Sequence, residues 1–114
     1  MNPTSRPSSL HVYQVMREAL VALRPLLARI AKHDADLADE LRRAAKSVLL
    51  NIGESEGLSP GRKRQHREIA LGSLYEVRSA IDCAVLLGYV EEAEAADAAE
   101  LAYRVGGMLY RLTH

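Results

Sequence analysis

Phenylalanine and tryptophan are absent from these 114 residues, and cysteine occurs once. Alanine, leucine, arginine and glutamate dominate while β-branched residues are scattered, a composition that favours packed helices over strands. The lone Cys83 can form no internal disulfide and cannot build a cysteine-rich zinc site. Its neighbours Ile81, Ala84 and Val85 set it on an apolar stretch, so a reduced, cytoplasmic setting is expected. No apolar run approaches the roughly 20 residues that a membrane span needs. The opening MNPTSRPSSL has no apolar segment behind a basic one, so neither export nor membrane contact is expected.

What is present is helical periodicity. Residues 1–8, rich in serine and proline, read as a flexible tail that ends where Ser8 or Ser9 can cap a helix, followed by a single domain over 9–114. Leu10, Tyr13, Met16, Leu20, Leu23, Leu27 and Ile30 recur every three or four residues, one stripe of a first helix. Val12, Val15, Ala19 and Ala22 form a second apolar row beside it, available to another subunit, and Pro25 should bend this helix. Asp34 or Asp36 can cap a second helix carrying Leu37, Leu41, Ala44, Ala45, Val48, Leu49 and Ile52, which ends near Gly57. Ser59 followed by Pro60 opens a third, with a seam from Ile69 or Ala70 through Leu74, Val77, Ile81 and Ala84 to Leu87, closed by Gly88. A fourth begins among acids suited to a helix N-terminus and continues through Ala98, Leu101, Val105, Met108 and Leu112. Gly106 and Gly107 mark either close packing or a weak turn. Four helices on short connections predict an all-α, up-and-down antiparallel four-helix bundle.

Net charge is zero, but its distribution is uneven. Between Leu41 and Arg67 stand Arg42, Arg43, Lys46, Arg62, Lys63, Arg64 and Arg67 against only Glu54 and Glu56, whereas EEAEAADAAE at 91–100 carries acids and no base. Enzyme motifs are missing. No Glu-x-x-His pair suits a di-iron bundle, His11, His33, His66 and His114 are dispersed, and GESEGLSPGRKR lacks the spacing of a nucleotide loop. No catalytic residue, metal or cofactor is expected.

Two stretches, RRAAKSVLLNIGESEG and ALGSLYEVRSAIDCAVLLGYV, resemble the four-helix-bundle family of intervening-sequence proteins encoded within bacterial large ribosomal RNA genes. The residues that carry the resemblance are Leu41, Arg42, Arg43, Ala44, Ala45, Ser47, Asn51, Ile52 and Glu54, then Ala70, Gly72, Ser73, Glu76, Leu87, Gly88, Tyr89 and Val90. Gly53 stands where that family has alanine and Ser55 where it has glycine, and the stretch from Lys63 to Arg67 is more basic than usual. A related bundle, the accessory variability determinant of diversity-generating retroelements, forms a homopentameric barrel, binds nucleic acid and partners a reverse transcriptase. The resemblance therefore implies a homopentamer with a non-enzymatic, nucleic-acid-associated role, possible partners being RNA, DNA or a nucleic-acid-processing protein.

The residues leave alternatives open. Arg62, Lys63, Arg64 and Arg67 gather at a helix N-terminus that attracts phosphate, and Arg42, Arg43 and Lys46 lie on the helix entering the same turn. They can serve as a solvated face, a backbone-dominated contact to RNA or DNA, or a dock for an acidic protein. Of the aromatics only Tyr75 is near in sequence. Asn51 and Glu54 share a helix face and can fix register by bonding Ser73, Glu76 or another subunit, Arg42 or Arg43 can neutralise Glu76, and Gly72 with Ser73 allows close helix approach. A homo-oligomeric scaffold that binds no nucleic acid is the competing account.

Overall fold

A computed structural model describes residues 8–114 and contains four helices: α1 Ser9–His33, α2 Ala35–Ser55, α3 Pro60–Leu86 and α4 Glu92–Thr113. Residues 1–7 of the expected tail lie outside the described residues. Each helix packs on two neighbours, in the cycle α1–α2–α3–α4–α1, so consecutive helices run antiparallel around one core. Starts and stops follow local chemistry. Ser8, not Ser9, caps α1, its hydroxyl accepting from the His11 amide at 3.0 Å, and Asp34 caps α2 through the Leu37 amide at 2.9 Å. Pro60 occupies the first turn of α3 behind Ser59, whose side chain makes no capping bond. Gly88 takes φ +80°, and the amides of Gly88 and Tyr89 bond back to Val85 and Ala84, ending α3 in a paired carbonyl cap. Glu94 reaches back to the Glu91 amide at 2.9 Å and fixes the start of α4.

The core corrects the reading of α1. Val12, Val15 and Ala19, expected to face another subunit, are buried within the chain's own bundle together with Met16, Leu23, Leu26 and Ile30. Leu10 is exposed instead, and Tyr13, Leu20 and Leu27 are only half-buried. The helix is therefore turned toward its second row, because that row meets α2 and α4 and shields more apolar surface. Pro25 sits within the unbroken helix. On α3 the seam begins at Ala70 while Ile69 is exposed, and Leu87, beyond the last helical turn, is exposed too.

The two mid-helix glycines of α4 differ. A Cβ on Gly106 would stand 3.1 Å from Leu74 Cδ1, so its absence lets α4 approach α3 closely, whereas Gly107 faces open space. Gly72 also meets nothing of its own chain, so no helix of the same bundle approaches closely there.

The two ends of the bundle differ in their balance of charge, bases exceeding Glu54, Glu56 and Glu68 at one and acids exceeding Arg29 and Lys32 at the other. Antiparallel order gathers the N-termini of α1 and α3 and the C-termini of α2 and α4 at one end, with Arg62, Lys63, Arg64, Arg67 and Arg111. The other end holds Asp36, Asp39, Glu91, Glu92, Glu94 and Asp97. There the Tyr89 hydroxyl donates to Asp34 Oδ2 at 3.2 Å, and the Tyr89 ring stacks on His33, tying the α1–α2 turn to the α3–α4 turn. Burial, and next the bond to the Asp34 carboxylate, raises the Tyr89 pKa above the ordinary tyrosine value. That tie consequently adds stability while the phenol is neutral, and the contribution is lost as pH climbs through the raised pKa.

Candidate functional site

Of the residues that carry the family resemblance, Ser47, Asn51 and Ser73 meet at the seam between α2 and α3. Ser47 and Ser73 hydroxyls meet at 2.8 Å across the two helices. One turn on, Asn51 Nδ2 donates to the Ser47 carbonyl at 2.9 Å and to its hydroxyl at 3.2 Å. With its amide nitrogen so engaged, Asn51 presents Oδ1 to His66 Nδ1 at 2.9 Å, which makes that ring nitrogen the donor. Glu54 Oε2 lies 3.5 Å from the same nitrogen. Asn51 thus fixes register through Ser47 and His66, not by bonding Ser73 or Glu76 directly. The basic stretch whose departure from the family pattern stood out in sequence supplies, in His66, the fourth member of this chain.

Below it the seam opens into a groove of about 730 Å³ lined by Arg43, Ser47, Ser73, Glu76, Ser79 and Cys83, among others. Glu76 finds no basic partner there: Arg42 and Arg43 instead bind Asp39, at 3.6 and 3.3 Å. Every component of the polar chain is satisfied and half-buried or exposed, which suits a register lock. Asn51→Leu should remove the acceptor of His66 and both bonds to Ser47, lowering unfolding free energy by about 1–2 kcal/mol with no change in helix content. Urea unfolding followed by circular dichroism measures this, and an unchanged midpoint would mean that the chain contributes nothing to stability.

The basic residues are not one patch. Lys46 and Arg42 lie nine and thirteen residues before the end of α2, roughly 14 and 20 Å of axial rise from the turn. At the start of α3, Arg64 pairs with Glu68 at 3.1 Å, and the half-buried Arg67 donates through Nη2 to Ser9 Oγ, bridging to α1 while its Nε is buried without a partner. Arg62 and Lys63 form no ion pair among the described residues, and Lys46 likewise forms none. Gly88 and Tyr89 of the signature serve the far end, as a helix cap and an inter-turn tie.

One surface had no prominence in the sequence. Tyr75 and Tyr103 are exposed on the α3–α4 face, brought together from distant positions by antiparallel pairing, and the exposed Tyr110 lies two turns beyond Tyr103 on α4. Among the described residues no three His, Cys, Asp or Glu side chains gather as a metal-binding group, and no helix is long and apolar enough to cross a membrane.

Four antiparallel helices around a single core, with a polar lock between the second and third, define an up-and-down four-helix-bundle protein. Over residues 8–111 the sequence matches the 23S rRNA-intervening sequence proteins, and the chain belongs to that family. A crystal structure of a protein of unknown function from the S23 ribosomal protein family of Bacteroides thetaiotaomicron superposes with a TM-score of 0.82 at 16% identity, covering 90% of this chain and 97% of that one. At such identity the likeness speaks for the fold alone. No curated protein matches the sequence.

Proposed function

We propose that the protein is a non-enzymatic, oligomeric accessory factor of the cytoplasm that associates with nucleic acid or a ribonucleoprotein through the basic end of its bundle. One observation carries this reading: the N-termini of α1 and α3 share an end with Arg62 and Lys63, two cations that no carboxylate of the described chain neutralises. The N-terminal amides of α3 add a local attraction for phosphate, which the C-termini of α2 and α4 at the same end oppose in part. A homopentamer, the assembly implied by the resemblance, would gather these ends on one rim when its bundles run parallel, and multiple weak contacts would then act together. Partners of this kind include RNA, DNA and a nucleic-acid-processing protein.

The test is a titration of the purified protein, freed of carried-over nucleic acid, against a fluorescent unstructured RNA. Affinity should fall at least about tenfold between roughly 50 and 200 mM salt. Absence of binding at the lower salt would sink the reading. A second account, a homo-oligomeric scaffold that binds no nucleic acid, is favoured by the pairing of Arg42 and Arg43 with Asp39 and of Arg64 with Glu68. It predicts assembly without any RNA signal.

A further inference from the structure

Among the exposed apolar side chains, three of the five tyrosines lie on one face. Arg64, Tyr75, Arg78 and Leu86 fall on one stripe of α3, and Ala96, Ala99, Tyr103 and Tyr110 on the facing stripe of α4. Between the two helices runs a groove of about 700 Å³, lined in part by Tyr75, Arg78, Ala99 and Tyr103. The Arg78 guanidinium carbon stands 5.1 Å from the Tyr103 ring centre and 6.0 Å from that of Tyr75, so one cation is shared by two rings. Those rings remain 63% and 45% exposed, and Arg78 forms no ion pair among the described residues. Two turns further along α4, Tyr110, 49% exposed, stacks on His114 with ring centres 4.0 Å apart. Gly107 separates the two ring groups and leaves bare backbone between them, since a Cβ there would meet nothing within 4 Å.

Flat π-surfaces beside an unneutralised cation suit a ligand with aromatic faces and negative charge. Asp82 and Glu92 line the groove toward the acidic end and repel a polyanion there, which confines its path to the stretch from Arg78 up to the start of α3. At that end stand Arg62, Lys63 and Arg64, of which Arg64 shares the platform's stripe and is paired with Glu68, while Arg62 and Lys63 carry no ion pair and point elsewhere around the helix.

We propose that the Tyr75–Arg78–Tyr103 face, with Tyr110 above it, is a stacking platform for single-stranded nucleic acid whose phosphates are held at the basic end, an inference that rests on the nucleic-acid reading above. Stacking tolerates any base, so sequence preference is weak, but it requires unpaired bases. Single strands therefore bind and duplexes of the same sequence bind less well.

The protein has no tryptophan, and three of its five tyrosines lie on the platform, so the part of the tyrosine quenching that disappears in the Tyr75 and Tyr103 variants reports the platform. The experiment compares a labelled unstructured RNA with its duplex, using the parent, Tyr75→Ala with Tyr103→Ala, and Tyr75→Phe with Tyr103→Phe. Expected are quenching of tyrosine emission by the single strand, a loss of at least about fivefold in single-strand affinity in the alanine variant, and near-parental binding in the phenylalanine variant. The salt dependence should stay as in the parent, because no phosphate contact has been removed. Single-strand and duplex binding that are equal and indifferent to both pairs of substitutions would overturn the platform while leaving the basic-end reading intact. An alanine variant whose RNA-free assembly mass drops, with affinity per assembled particle unchanged, would also overturn it by giving the face to a protein contact. A parent that binds no RNA defeats the earlier reading, and the platform falls with it.

Discussion

Arg62→Glu combined with Lys63→Glu is expected to weaken binding of unstructured RNA about a hundredfold at roughly 50 mM salt and to flatten the salt dependence. Each lost phosphate contact removes about 0.7 from the logarithmic salt slope of a single strand, and the introduced carboxylates then repel the same phosphates. The two positions stand in the opening turn of α3, where the helix dipole favours negative charge by about 0.3–1 kcal/mol. Helix stability should hold, so a lost signal with an unchanged melting curve reports binding and not unfolding. Arg64→Glu alone should do less, because Glu68 already partners Arg64. Lys46→Glu, well down α2 from the turn, should do least. Equal losses at all of these positions would mean a diffuse surface, and fluorescence anisotropy on the variants decides it.

Leu74→Ala should give the largest loss of stability. Leu74 is fully buried, and its Cδ1 occupies the space that a side chain on Gly106 would fill. Truncation leaves a cavity bounded by the bare backbone of Gly106, with the end of the Arg78 side chain, 3.8 Å from where a Cβ on Gly106 would stand, as the group beside it. The cost should fall toward the upper part of the usual 2–5 kcal/mol range, about 4 kcal/mol. For a domain of this size that corresponds to a fall in Tm of roughly 15 °C. Thermal unfolding by circular dichroism measures it, and a fall under about 5 °C would show that α3 and α4 close over the gap.

The helices were legible because the chain repeats apolar residues at helical spacing and marks its boundaries with Ser8, Asp34, Pro60 and Gly88. The rotation of α1 was not. Its two adjacent apolar rows have the same spacing, and the choice between them depends on how the other three helices approach. Contiguity in sequence also misleads on a helix. Arg62, Lys63 and Arg64 are successive, yet each is turned about 100° from the last, so they point around the axis and do not form one patch. The seam residues Ser47, Asn51, Ser73 and Glu76 were visible from the family pattern, but the Ser47–Ser73 contact and the bond from His66 to Asn51 require the antiparallel register of α2 on α3, and Glu76 takes no part in them. The tyrosine face escaped for a similar reason: Tyr75 and Tyr103 belong to different helices, and only the folded pairing sets Arg78 between them.

The opposed charges at the two ends of the bundle turn ionic strength into a sorting variable. Copies placed side by side in the same direction repel at both ends, so electrolyte eases the formation of any parallel ring, while it loosens a polyanion from the rim that the ring creates. Dilute buffer would then favour nucleic-acid capture by few copies, and concentrated buffer an empty assembly.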